Sequence, residues 1–331
     1  MHKTLVPDIS IPEKSIDRDT CLHITEYDVV KTLTEIGHEV RSLGVISDLK
    51  KIRDTIEEFR PHIVFNLLEE FDGEAVFDQN VVSYLELLRV PYTGCNPRGL
   101  ILGRDKSLSK KILAYHNIST PAFYVFPKSK RTKCPENIHY PIIVKCLSEE
   151  ASLGISKASV VHNEEKLMER VMYINQKLGV DAIAEEFIEG KEFFVGILGN
   201  HQLRTLPIWE LQFENSSDPN KEFYSNRAKF NKEYRQRKGV KTCKADISKE
   251  LEEKIMSLGR KTYQALELNG YARIDMRMGL DDEIFVIEAN PNPDISKEDE
   301  FALSAKHIQI DYPTLLSKIL SLAKSWHHYE N

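Results

Sequence analysis

Arg273-Ile274-Asp275-Met276-Arg277-Met278, then Gly279-Leu280-Asp281-Asp282-Glu283, then a second run closing on Ile287-Glu288-Ala289-Asn290, is the stretch that decides the fold. Polar and apolar residues alternate on either side of a turn, so residues 271–278 and 284–291 read as a β-hairpin. Arg273 and Asp275 then share one face, as do Glu288 and Asn290. With the turn centred between residues 281 and 282, Asp275 lies opposite Glu288 and Arg273 opposite Asn290. Like charges directly opposite destabilise a sheet by up to about 1 kcal/mol. Two acids and an amide oxygen gathered there point to a hard divalent cation, since Mg²⁺ takes one or two carboxylates together with substrate phosphates. The same spacing also fits a solvated face of an edge hairpin, and a one-residue slip would part the acids.

Outward from the hairpin the pattern is antiparallel sheet with helices on one face, the α+β class. Residues 122–126, 140–147, 155–161, 181–188, 191–198 and 202–213 are strand candidates. One helix interrupts them, striped by Leu167, Val171, Ile174 and Leu178. Residues 214–244 are polar and basic without clear period, and read as a long loop, functional or disordered. A helix from Ser248 carries Leu251, Ile255, Leu258 and Ala265; a last helix from about Asp311 carries Tyr312, Leu315, Ile319 and Leu322.

The first hundred residues alternate differently. Val29, Leu33 and Ile36 mark a helix, 39–45 a strand, and Asp48 caps a helix with Leu49, Ile52, Ile56 and Phe59 on its buried stripe. The nearly continuous apolar run 62–68 reads as a strand covered on both faces, and 79–88 as another helix. This β/α alternation predicts a parallel sheet flanked by helices. Such a module should open with a buried strand, yet Met1 is soon followed by polar residues and Pro7, so the first strand is expected to be short.

Lys145 closes the apolar strand Ile142-Ile143-Val144, and Lys106 opens a helix near Asp105. Each alone reads first as a snorkelling surface lysine, and as a phosphate contact only with the other segments beside it. The segment from Glu149 to Gly154, with small residues at 151, 152 and 154, lets backbone N–H groups approach a phosphate but fits no P-loop or dinucleotide fingerprint. Ala184-Glu185-Glu186-Phe187-Ile188 and Glu192 place acids at a strand edge on either side of a turn, which an ordinary polar hairpin would also do.

The chain has 331 residues, which at roughly 150 per domain suggests about two domains. A formal net charge of −6 argues against a whole-chain nucleic-acid binder. No apolar stretch approaches the ~20 residues needed to span a bilayer. Five cysteines without a C-x-x-C pair read as free thiols in a reducing compartment, so a cytoplasmic protein is expected.

Taken in order, Val90-Pro91-Tyr92-Thr93-Gly94, Arg104-Asp105-Lys106, Ile142 to Lys145, Glu149 to Gly154, Ala184 to Ile188, Arg273-Ile274-Asp275 and Glu288-Ala289-Asn290 resemble the ATP-grasp superfamily. The nearest branch is that of the D-alanine–D-alanine ligases, and the resemblance covers nearly the whole chain. It implies an α/β and α+β fold: a pre-ATP-grasp N-terminal parallel α/β subdomain over 1–100, a central ATP-grasp subdomain over 101–190, and a C-terminal one with the metal hairpin over 191–327. ATP is the implied substrate and Mg²⁺ the implied cofactor, as two ions for which Mn²⁺ can stand in. Carried over residue by residue, Lys106 and Lys145 reach the nucleotide phosphates, and the loop with Glu149, Ser152 and Gly154 closes over them. Glu185, Glu186, Phe187 and Ile188 read adenine, and Glu192 binds the ribose. Asp275, Glu288 and Asn290 hold the ions, Arg273 faces the tetrahedral oxyanion, and Lys229 in the mobile loop takes the γ-phosphate. The implied reaction is carboxylate–amine ligation through an acyl phosphate, with small-molecule partners, no nucleic acid, no membrane, and a homodimer as the assembly to look for.

The departures from the family concern the substrates. Where the relatives have a small-residue stretch that receives the acceptor carboxylate, this chain has Pro291, Pro293, Asp294, Glu298, Asp299 and Glu300. After Asn66 it carries Glu69, Glu70, Asp72 and Glu74 in place of a glycine-rich stretch. Ala151 replaces a serine, and the family's N-terminal substrate-binding glutamate is not located. The acids predict a cationic acceptor. The alternatives are a genuine D-alanine–D-alanine ligase, and a nucleotide-binding protein without turnover.

Overall fold

Helices come first in the chain, and three of the first five are started by a side-chain cap. The computed structural model describes residues 6–18, 20–130, 133–148 and 155–325. Helix α1 spans Ile24–Glu35, α2 Leu49–Phe59, α3 Asp78–Leu87, α4 Pro97–Arg104 and α5 Lys106–Tyr115. Asp48 caps α2 by accepting from Lys50 N–H, and Arg60 ends it in the left-handed region just before Pro61. Asp105 caps α5 by accepting from Ser107 and Leu108 N–H, which fixes Lys106 in the first turn.

Two antiparallel sheets follow. Strands β1 (Phe123–Phe126), β2 (Ile142–Cys146), β3 (Val160–Val161) and β4 (Ala182–Glu186) form one, in the order β1-β4-β2-β3, with α6 (Glu164–Tyr173) packed on it. Strands β5 (Gly190–Leu198), β6 (Arg204–Thr205), β7 (Trp209–Phe213), β8 (Val240–Lys244), β9 (Tyr271–Gly279) and β10 (Ile284–Pro291) form the other. Its order is β10-β9-β5-β7-β8, with β6 on β5. Helix α9 (Lys249–Ala265) packs its Ile255 and Tyr263 against this sheet, and α3, α4 and α5 share the same core. On the other side α1, α10 (Glu300–His307) and α11 (Tyr312–Ser325) bury Val29, Phe301 and Leu315 together. Gly190 is required where β5 meets β9: its φ is +146° and a Cβ there would lie 1.9 Å from the Met278 carbonyl oxygen.

Four elements differ from the sequence expectation. Of 155–161 only Val160–Val161 pairs, because residues 157–159 turn into a 3₁₀ helix. The run 202–213 is broken into β6 and β7. Residues 214–244 are not a plain loop: α7 (Asn226–Phe230), α8 (Lys232–Lys238) and β8 lie within them, capped by Ser225 and Asn231. Helices this short never repeat an apolar period, so their caps were the only signal. Finally, 39–45 and 62–68 form no sheet; a single parallel bridge joins Val64 to Tyr92. A parallel strand is held only by its neighbours, and no described residue lies as a strand between these two segments.

Candidate active site

The hairpin face carries the centre of the site. Glu288 stands directly opposite Asp275, and Asn290 opposite Arg273. The turn itself pairs Ile284 with Met278 and is therefore centred on residue 281, not between 281 and 282 as the sequence reading had it. A β-bulge between Val286 and Glu288 shifts the register by one residue and turns Glu288 onto the face of Asp275. Arg273 grips Asp275 with two bonds, Nε at 2.7 Å and Nη2 at 2.9 Å, while Asn290 Nδ2 donates to Asp275 at 3.0 Å. Burial, with Glu288 close by, pushes the Asp275 carboxyl up to about 6 despite Arg273. Burial works the same way on Glu288, but Lys106, Lys145, Lys229 and Arg273 outweigh it and hold it down at about 2. Two carboxylates and an amide oxygen on one face are a hard-donor set that suits Mg²⁺.

The lysines converge on the same place. Lys145 Nζ lies 2.9 Å from Glu185 Oε2, and Lys110 Nζ 3.3 Å from Glu185 Oε1, all three side chains being buried. Lys106 reaches Glu288 at 3.8 Å. Burial lowers the Lys110 pKa, whereas for Lys145 the nearby Glu185 and Glu288 overcome burial and raise it. Burial would raise Glu185, but the two lysines hold it below the usual carboxylate range. Lys110 was missed in the sequence, although it sits one turn after Lys106 on the same helix face.

One cleft between the two sheets is lined by Lys106, Lys145, Glu185, Glu186, Phe187, Ile188, Glu192, Lys229, Asp275 and Glu288, together with Phe223, Tyr224 and Arg277. Arg273 and Asn290 stand beside it on Asp275. Arg277 is a second residue the sequence reading passed over: it is buried, bonds Glu192 at 3.0 Å and the Gly190 carbonyl oxygen at 2.8 Å, and stacks on Phe187. Its position two residues beyond Asp275 in the alternating strand was the available signal. The amides of Glu186 and Phe187 donate to the Ala122 and Pro141 carbonyl oxygens. Lys229 lies over the Tyr224 ring. Glu149, Ser152 and Gly154 lie outside the described residues.

Beyond Arg273 the site is acidic. Glu300 lies 3.8 Å from Arg273 and accepts from the Tyr224 hydroxyl at 3.1 Å. Burial and the neighbouring Glu300 and Asp294 push the Asp299 carboxyl far above the usual range. Glu26, at the start of α1, is only 7% exposed; burial raises it to about 7, with Glu69 and Asp294 adding to the effect. Asp294 is held to α1 by the Thr25 hydroxyl, and Asp28 by Arg18 and the Lys297 N–H. Glu26 sits three residues before Val29 on the buried stripe of α1. An acid on an apolar stripe was the overlooked clue.

A family profile described as "D-ala D-ala ligase C-terminus" matches residues 109–321. The chain belongs to the D-alanine–D-alanine ligase family. These are ATP-grasp enzymes that form a carbon–nitrogen bond at the expense of ATP. The D-alanine–D-alanine ligase of Aquifex aeolicus is 30% identical over 293 residues, spanning 88% of this chain and 92% of its own. The uncharacterized protein y4sG of Sinorhizobium fredii is 32% identical over 303 residues, 89% of this chain and 86% of its own. Among solved structures, the Bacillus anthracis D-alanine–D-alanine ligase complexed with ATP shares the fold with a TM-score of 0.72 over 94% of each chain, at 22% identity. The VanG D-Ala:D-Ser ligase of Enterococcus faecalis does so with 0.69 over 92% of this chain and 96% of its own, at 19% identity.

Proposed function

We propose that this family member ligates a carboxylate to a cationic amine, and that its acceptor is not D-alanine. The observation that carries the reading is the state of Arg273. Both its Nε and Nη2 are engaged by Asp275, Glu300 lies 3.8 Å away, and the half-buried Asp299 carboxyl stands beside Glu300. An acceptor bearing a free carboxylate would meet acids there, while an ammonium would find partners. A charged hydrogen bond of that kind contributes about 1.5–3 kcal/mol, roughly tenfold to a hundredfold in selectivity.

In this reading Lys106, Lys145 and Lys229 neutralise the phosphates, and the strand from Glu185 to Ile188 with Glu192 seats the nucleoside. The loop of Glu149, Ser152 and Gly154 covers the phosphates. Asp275, Glu288 and Asn290 would hold two Mg²⁺ ions, which supply charge neutralisation for the transferring phosphoryl group. The substrate carboxylate attacks the γ-phosphorus, giving an acyl phosphate and ADP. The amine then displaces phosphate and loses a proton, and Arg273 faces the oxyanion of that step. Glu26, buried at the start of α1, supplies the N-terminal glutamate that the family uses on its first substrate. The setting is the cytoplasm; no described helix is long and apolar enough to cross a membrane.

Phosphate release from ATP with D-alanine alone, against a panel of diamines and basic amino acids paired with amino-acid donors, tests the reading. Turnover is expected only with the cationic panel. D-Alanyl-D-alanine formation without a response to that panel makes the chain a D-alanine–D-alanine ligase. ATP binding with no release under any pairing makes it a nucleotide binder.

A further inference from the structure

Resting on the reading of Glu192 as the ribose acceptor, we propose that Arg277 is the positioning residue that fixes this carboxylate, and so makes the cleft select nucleotides by their ribose hydroxyls. The two residues stand directly opposite each other, Glu192 on β5 and Arg277 on β9. Opposite charges facing across a ladder attract. Here they meet as Arg277 Nη1 donating to Glu192 Oε2 at 3.0 Å.

The guanidinium has little freedom of its own. Arg277 is 4% exposed, and Nη1 also donates to the Glu222 carbonyl oxygen at 3.1 Å. Nη2 donates to the carbonyl oxygens of Gly190 at 2.8 Å and Asn220 at 3.2 Å. The guanidinium carbon lies 5.2 Å from the centre of the Phe187 ring. A planar fork bonded through both terminal nitrogens and stacked on a ring is a rigid holder for a carboxylate. A glutamate side chain left alone would instead spread over several rotamers.

Pinned through Oε2, Glu192 offers Oε1 to the cleft that both residues line. The same guanidinium rests on Phe187, so it sets where the ribose acceptor stands relative to the strand 185–188 that seats the base. The acceptor is then ordered before the nucleotide arrives, and the ribose hydroxyls gain the whole of the charged hydrogen bond. A staple that merely tied Gly190 to the 219–222 turn would act on every nucleotide alike.

Calorimetric titration of the full chain with ATP and with 2′,3′-dideoxy-ATP reads the selection as a ratio of dissociation constants. The wild type should prefer ATP by about tenfold to a hundredfold, the worth of one charged hydrogen bond. In Arg277→Met the ratio should fall below about threefold, with most of the loss on ATP. Arg277→Lys keeps a cation on Glu192 without the fork and should give an intermediate ratio; where the Met variant does not fold, the Lys variant decides. A wild-type ratio retained in the folded variants, with both nucleotides weakened alike or not at all, would overturn the proposal and leave Glu192 on the ribose. A ratio near one in the wild type is the separate failure of the ribose reading, and takes the role of Arg277 with it.

Discussion

Glu185 is shared by two buried lysines, and removing each member of the trio should have unequal consequences. In Glu185→Gln both ammonium groups lose their carboxylate while remaining buried, Lys145 at 8% and Lys110 at 1% exposure. Leaving buried charge unpaired costs about 3–5 kcal/mol. At about 2.1 cal/mol/K of unfolding entropy per residue, 331 residues give about 0.7 kcal/mol/K, so the melting temperature should fall by about 4–7 °C. Lys145→Met is milder, because Glu185 keeps Lys110 at 3.3 Å. It should lower the melting temperature by less than about 3 °C, with a loss of up to about 2 kcal/mol. Its main effect should be on ATP, whose affinity should drop about tenfold to a hundredfold with one charged hydrogen bond to a phosphate. Scanning fluorimetry without nucleotide and calorimetric titration with ATP separate the two quantities. If Lys145→Met destabilised the protein as much as Glu185→Gln, the sharing of Glu185 would be wrong. Unchanged ATP affinity would remove Lys145 from the phosphate site.

Three further outcomes follow from the geometry. Glu26 titrates at about 7 when folded against an ordinary 4.5, so its folded form keeps a proton that the unfolded chain has lost. Stability from this group is full below pH 4.5 and is lost as pH rises through 7, by at most about 3 kcal/mol. Glu26→Gln should flatten that decline in urea midpoints measured at pH 5 and 8; parallel declines in both proteins would contradict it. Gly190→Ala would set a Cβ 1.9 Å from the Met278 oxygen at φ +146°, so a loss of more than about 3 kcal/mol is expected in chemical denaturation. Lys229→Ala should reduce phosphate release more than about tenfold while moving the melting temperature by less than about 1 °C; a matching loss of stability would make its role structural.

The order of short motifs by itself identified the ATP-grasp class, and the resemblance to that family carried most of the residues that line the cleft. A period of two added only that Arg273 shares a face with Asp275, and Glu288 with Asn290. The partners of the cleft residues were not legible. Lys110 and Arg277 meet Glu185 and Glu192 across 75 and 85 residues of chain, and such pairings depend on how separate strands cross. Sequence order carries no record of that crossing. Glu26 meets Asp294 only because α1 docks on the segment after β10, where the Thr25 hydroxyl bonds Asp294. The register of the hairpin face is the sharpest case. The turn at 279–283 alone would place Glu288 on the opposite face from Asp275; the bulge at Ile287 reverses it. A bulge is an extra residue tolerated where tertiary packing holds both flanking ladders. The hairpin's pattern supplied the acids, and the surrounding fold brought them face to face.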